Sequence, residues 1–251
     1  MNRKIGVVDS GLGGLLVLEA LQKVHPQAHY IYIGDQEHAP YGDCSKEELL
    51  HYGLRMMQYL YQRQVQEVVI ACNTLCANVL HELRNAYPQM HIYDIIETTC
   101  CQLKQTEKQR ILVLATHATV QKQAYQKTLK KICSAEIIEL ACPKLVPMIE
   151  ENSSQEQVQK VLQEYLQPYI GSVDAIILGC THYPILKNYI KNIIDVDIFD
   201  SNEAIAHQFS FYKSDTENQL EIYTTKDAMH MHEQIKKVLK KDYPVSKLQL
   251  D

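Results

Sequence analysis

The chain has 251 residues, 46% apolar and 22% charged, with a formal net charge of -5, the composition of a globular protein with room for one large or two small cores. Extensive disorder is excluded, and the short basic runs at Lys130-Lys131 and Lys236 to Lys241 give no electrostatic basis for binding nucleic acid or an anionic membrane. No apolar stretch reaches membrane-spanning length, and Met1-Asn2-Arg3-Lys4 leads into a run that ends at Asp9, so a cytoplasmic protein without a leader is expected.

Ile5 to Asp9 reads as a strand, and Ser10-Gly11-Leu12-Gly13-Gly14 turns it into an amphipathic helix ending near His25-Pro26. The glycines miss dinucleotide-binding spacing at Leu16 and are read as backbone room beside a small ligand. His29 to Gly34 is a second strand, followed by Asp35 and a loop carrying Ala39-Pro40-Tyr41-Gly42. Ser45 with Glu48 forms a capping box for a helix to about Gln64. Val68 to Ala71 is the third strand, and Cys72-Asn73-Thr74 opens a helix to about Tyr87. His91 to Ile96 is the fourth, with Glu97-Thr98-Thr99 read as the crossing into a second domain.

A second series then begins: a strand over Arg110 to Ala115, a helix from Thr116-His117-Ala118-Thr119 to about Ile132, and a strand over Glu136 to Ala141. Past Cys142-Pro143, a polar stretch through Gln157 opens a helix, and an apolar strand from Asp174 stops at Gly179 and delivers Cys180, Thr181 and His182. A helix from Pro184, a short strand over Val196 to Phe199 and a cap at Asp200-Ser201 follow. The strand Leu220 to Thr224 and a helix from Lys226 to about Lys240 return to the first domain. Aligning Ile5 to Ser10 with Ile111 to Thr116 puts a cysteine 62 residues after Ser10 and 64 after Thr116, the mark of an internal duplication. The predicted fold is α/β, with two similar domains related by a pseudo-twofold axis, each a mostly parallel sheet flanked by helices, and the active site in the cleft between them. The expected domains are residues 1–97 with 210–251, carrying Cys72, and 98–209, carrying Cys180.

One thiol on each wall of a cleft suits proton transfer at a stereocentre, where a base strips the α-proton from one face and an acid delivers a proton to the other. A thiol with an ordinary pKa of about 8.5 needs help to ionise. Asp9 is the candidate helper of Cys72, and His182 of Cys180. Ser10, Asn73, Thr74, Thr116, Thr119 and Thr181 offer hydrogen-bonding groups near strand ends for the charge that develops on a substrate carboxylate. Glu150, just past a proline-bounded apolar segment, is either a partner of His182 or a solvated helix acid.

The strings Asp9-Ser10-Gly11-Leu12-Gly13-Gly14, Pro40-Tyr41-Gly42, Cys72-Asn73-Thr74, Ala141-Cys142-Pro143 through Glu150, and Gly179-Cys180-Thr181-His182-Tyr183-Pro184 occur in order across most of the chain. Together they resemble the glutamate racemases of the aspartate/glutamate racemase superfamily. The resemblance implies a cofactor-independent, metal-free enzyme with Cys72 and Cys180 as catalytic bases. It implies substrate contacts at Asp9, Ser10, Tyr41, Gly42, Asn73, Thr74, Thr181 and His182, with Pro40 in the same loop. It also implies glutamate as the substrate, a role in peptidoglycan synthesis and a homodimer. The chain departs from the family pattern at Leu75, Cys76, Thr98 and Ala115, none of which removes a catalytic group. Three other readings stay open on the residues: a sister aspartate racemase, a zinc site built from Cys72, Cys76, Cys180 and His182, and a catalytically silent binding protein.

Overall fold

The computed structural model describes residues 4–208 and 219–250; the expected domain boundary at 209/210 lies outside them. In chain order the elements of the first half are β1 (Lys4–Asp9), α1 (Gly14–Val24), β2 (His29–Gly34), α2 (Lys46–Gln62), β3 (Glu67–Ile70), α3 (Asn73–Ala86), β4 (His91–Asp94) and α4 (Ile95–Cys101). The second half has β5 (Arg110–Ala115), α5 (His117–Gln121), α6 (Ala124–Leu129), β6 (Glu136–Ala141), α7 (Leu145–Glu150), α8 (Gln155–Leu166), β7 (Ala175–Gly179), α9 (Lys187–Lys191), β8 (Asp197–Phe199) and α10 (Asn202–Ala206). The chain ends in β9 (Leu220–Thr224), α11 (Ala228–Gln234) and β10 (Ser246–Lys247).

Two sheets form, ordered β10-β9-β2-β1-β3-β4 and β6-β5-β7-β8, and every pairing among the described residues is parallel. Parallel strands are covered on both faces, which is why these segments read as near-continuous apolar runs. Val7 stands opposite Tyr32 and Val69, while Val113 stands opposite Glu139 and Ile177. The order β2-β1-β3-β4 recurs as β6-β5-β7-β8, with Cys72 just after β3 and Cys180 just after β7, the same place in each repeat. Strand alternation divides the core. Ile111, Val113 and Ala115 pack into one apolar cluster with the first sheet, whereas Leu112 and Leu114 face a second cluster with α7 and α8 residues such as Ile149 and Leu162. The first of these clusters joins the two halves, and the buried residues of the second come from the second half alone.

The elements depart from expectation at several points. The helix expected up to Ile132 is broken into α5 and α6 at Gln123, whose φ of 53° is left-handed. The strand expected to run to Ile96 ends at Asp94, which caps α4 by accepting from the Ile96 N–H at 2.8 Å, so Glu97-Thr98-Thr99, read as the crossing between domains, is helical. The apolar segment after Cys142 forms a helix of its own, α7, and the polar stretch opens α8 through a Ser154/Gln157 capping box, as expected. The C-terminal helix ends at Gln234 in a π turn over Ile235–Leu239. No helix among the described residues is long and apolar enough to cross a membrane.

Candidate active site

Because all strands run parallel, β1, β3, β5 and β7 present their carboxyl ends, and the residues that follow them, at the same edge of each sheet, where open α/β folds bind ligands. A cavity of about 50 Å³ opens there between the halves. Cys72 and Cys180 both line it, together with Ser10, Pro40, Tyr41, Gly42, Asn73, Thr74, Thr116, Thr181 and His182. Asp9, Thr119 and Glu150 do not reach the cavity wall, but each is bonded to a residue that does. Thr181 donates to Asp9 Oδ1 at 3.3 Å, Thr119 shares a hydroxyl pair with Thr116 at 2.9 Å, and Glu150 Oε1 lies 3.0 Å from His182 Nε2. Among the described residues neither lysine nor arginine lines the cavity. Besides His182, an anion there meets hydroxyls, amides and the N-terminus of α3, whose first N–H groups and dipole favour negative charge.

The first thiol sits at the N-cap of α3 with an extended backbone. Burial pushes the Cys72 thiol up to about 12, and the Asp9 charge adds to the rise while the Leu75 and Thr74 N–H groups oppose it. Asp9 is fully buried, and its Oδ2 accepts from the N–H groups of Gly11 and Gly14, both at 3.0 Å. Its carboxylate ties down the Gly-rich turn, and its charge favours the protonated form of Cys72.

The second thiol has a different neighbourhood. Cys180 Sγ lies 3.9 Å from His182 Nδ1, and the other ring nitrogen of His182 meets Glu150. Burial works against the imidazolium, but hydrogen bonds to Cys180 and Glu150, and the charges of both, outweigh it and hold the His182 pKa well above the ordinary value. Burial likewise opposes the Glu150 carboxylate, and the His182 hydrogen bond and charge overcome it, leaving its pKa below the ordinary carboxylate range. Cys180, His182 and Glu150 form a continuous chain from cavity to helix α7.

The two glycines read as room for a ligand serve the protein itself. A Cβ on Gly13 would stand 2.4 Å from Thr181 Oγ1 and 2.6 Å from His182 Nδ1, and one on Gly14 would stand 2.5 Å from Asp9 Cβ. The turn after β1 is therefore pressed against the segment that carries Cys180. A second bridge between halves runs from Thr74 Oγ1 to Thr116 Oγ1 at 3.0 Å.

Several residues were not singled out by sequence. Asp43, His117, Cys142, Val146 and Tyr183 also line the cavity. Tyr41 is anchored by donating to buried Asp35 at 2.5 Å, and Asp35 also accepts from Thr225 at 2.7 Å and pairs with His38 at 2.9 Å. An acid ending β2, directly before the Pro-Tyr-Gly loop, is the signal that points to it. Cys76, by contrast, lies outside the cavity and donates to the Ile70 carbonyl at 3.3 Å. No cluster of three or more metal-ligating side chains occurs among the described residues.

Two duplicated parallel α/β units that each bring one thiol to a shared cavity define a class of α/β protein with its ligand-sized cavity between the halves. Residues 16–209 match the family model for Asp/Glu/Hydantoin racemase, and the chain belongs to that family. It is 38% identical over 240 residues to a glutamate racemase of Aquifex aeolicus, covering 94% of each chain. A solved glutamate racemase isoform from Bacillus anthracis superposes with a TM-score of 0.92 at 31% identity, covering 99% of this chain and 98% of that one. The Francisella tularensis glutamate racemase, solved in complex with D-glutamate, gives a TM-score of 0.92 at 28% identity, covering 100% and 98%.

Proposed function

We propose that this protein interconverts L- and D-glutamate by two-base proton transfer, with Cys72 acting on one face of the α-carbon and Cys180 on the other. The observation that carries the reading is that both thiols line one cavity from equivalent positions of a structural repeat. Cys72, held protonated by burial and the Asp9 charge, is the acid of the resting state. Cys180 has the protonated His182 beside it as a counter-charge and takes the α-proton from the other face. Proton removal places charge on the substrate's α-carboxylate, which the Asn73, Thr74 and Thr181 side chains and the α3 N-terminus stabilise electrostatically. Transfer from Cys72 to the opposite face completes inversion, leaves the two thiols in exchanged protonation states and starts the reverse reaction from the other enantiomer.

The similarity of this chain to named glutamate racemases supports glutamate over aspartate. We extend the reading to a cytoplasmic homodimer that needs no added cofactor and supplies D-glutamate for peptidoglycan. We divide it into residues 1–97 with 210–251 and residues 98–209, with α4 spanning the 97/98 junction. The direct test incubates the purified protein with L-glutamate, and separately with L-aspartate, in deuterium oxide without added cofactor, following optical rotation and loss of the α-proton signal. Conversion of glutamate is expected. Turnover of aspartate alone would move the substrate, and inactivity with both would end the racemase reading.

A further inference from the structure

Asn73 follows Cys72 directly and lines the cavity, yet only one end of its side-chain amide is engaged. Tyr125 donates its hydroxyl to Asn73 Oδ1 at 2.6 Å, while Asn73 Nδ2 is buried without a partner among the described residues. A buried amide nitrogen with two unused donors is costly unless something else accepts from it. Tyr125 is fully buried, on α6 of the second half, and reaches across to the first turn of α3 in the first. Its ring is held in place by an absence: a Cβ on Gly179 would stand 2.8 Å from Tyr125 Cε2. The glycine before Cys180 thus makes room for the ring whose hydroxyl holds the residue after Cys72. Burial raises the Tyr125 pKa well above the ordinary tyrosine value, so the hydroxyl keeps the proton it donates.

We infer that Tyr125 is a positioning residue for racemisation: it fixes the Asn73 amide with its oxygen turned away from the ligand and its two N–H donors free for a substrate carboxylate. The inference rests on the cavity being the glutamate site. It gives the Tyr125 hydroxyl no contact with substrate; Thr99 also hydrogen-bonds that hydroxyl, but the hydroxyl's effect on catalysis passes through Asn73.

Such dependence is read by a double-mutant cycle. Wild type, Y125F, N73A and Y125F/N73A are compared for kcat and KM in both directions and for melting temperature. Y125F is expected to lose about tenfold in kcat/KM, the scale of one hydrogen bond, and N73A at least as much, with the double variant no worse than N73A alone. A role in packing alone would instead make the two losses multiply. Wild-type-like kcat/KM in Y125F, or multiplying losses, would overturn the inference while leaving the racemase reading intact. A wild-type protein silent with glutamate would remove both. Should Y125F fold poorly, Y125F/N73A, which orphans no amide oxygen, is expected to melt above it, and a lower melting temperature would again count against the inference.

Discussion

The two thiol arms occupy the same place in a repeated fold and have opposite electrostatics. Cys72 is buried at a helix N-terminus in front of the Asp9 carboxylate, which drives it toward the neutral thiol. Cys180 stands 3.9 Å from a histidine that Glu150 helps to keep protonated. The lesson is a division of labour. Duplication supplies the two-sided geometry that inversion needs, and the unlike neighbours give each thiol its own surroundings: a carboxylate beside Cys72 and a protonated histidine beside Cys180.

Breaking either arm outright should have the largest effect: Cys72→Ser and Cys180→Ser are each expected to cut racemisation by roughly 10³-fold, with circular dichroism unchanged. Near wild-type turnover in both would end the two-thiol account. His182→Gln should follow, at roughly 10²-fold in kcat, because it removes the cation beside Cys180 while leaving the Cys72 arm untouched.

Glu150→Gln weakens the same arm one step further back, with an expected loss of about tenfold in rate. It also has a signature in stability. His182 holds its proton more tightly in the folded chain, so that part of the stability is complete below the ordinary histidine value of 6.5 and fades as pH rises through the raised value. Glu150 is shifted down, so its part is present above 4.5 and fades as pH falls through the lowered value. Denaturant titrations should therefore show the wild type's advantage over the variant, about 1.5–3 kcal/mol for a hydrogen bond between charged groups, greatest between pH 4.5 and 6.5. A flat difference across pH would contradict the pairing.

Asp9→Asn sharpens the contrast from the other side. Removing the charge should move the alkaline limb assigned to Cys72 in the pH–rate profile to lower pH, with only a several-fold change in rate at neutrality, since one amide oxygen still accepts from the turn. A limb that rises or stays fixed would show that Asp9 does not set the protonation of Cys72. The smallest effect on stability is expected of Thr74→Val, which breaks the hydroxyl bridge to Thr116. About 0.5–1.5 kcal/mol of stability should be lost, measured by thermal melting.

Much of this contrast was legible in the chain itself, and the reasons are physical. Parallel strands such as Ile5 to Asp9, His29 to Gly34 and Ala175 to Gly179 declare themselves as apolar runs because both faces are covered, and a residue at a strand end is placed for chemistry by topology alone. Ser45 and Glu48 announced α2 through local hydrogen bonds that do form. What stayed hidden depends on contacts between distant segments. Nothing local to Tyr125 points to Asn73, 52 positions earlier. Gly13 and Gly14 were legible as close approaches, but whether a ligand or Thr181, His182 and Asp9 filled the space required the fold. The break at Gln123 escaped because glutamine is a good helix former and nothing in the local sequence marks its left-handed backbone.

The most direct test of the central claim, that different groups serve the two faces, is to run racemisation of one enantiomer in deuterium oxide and follow isotope in substrate and product separately at early times. The account predicts α-deuterium in the product enantiomer and hydrogen retained in the recovered substrate, because the proton taken by one thiol is not the one delivered by the other. Deuterium entering substrate as fast as product would show a single group working on both faces and would contradict it.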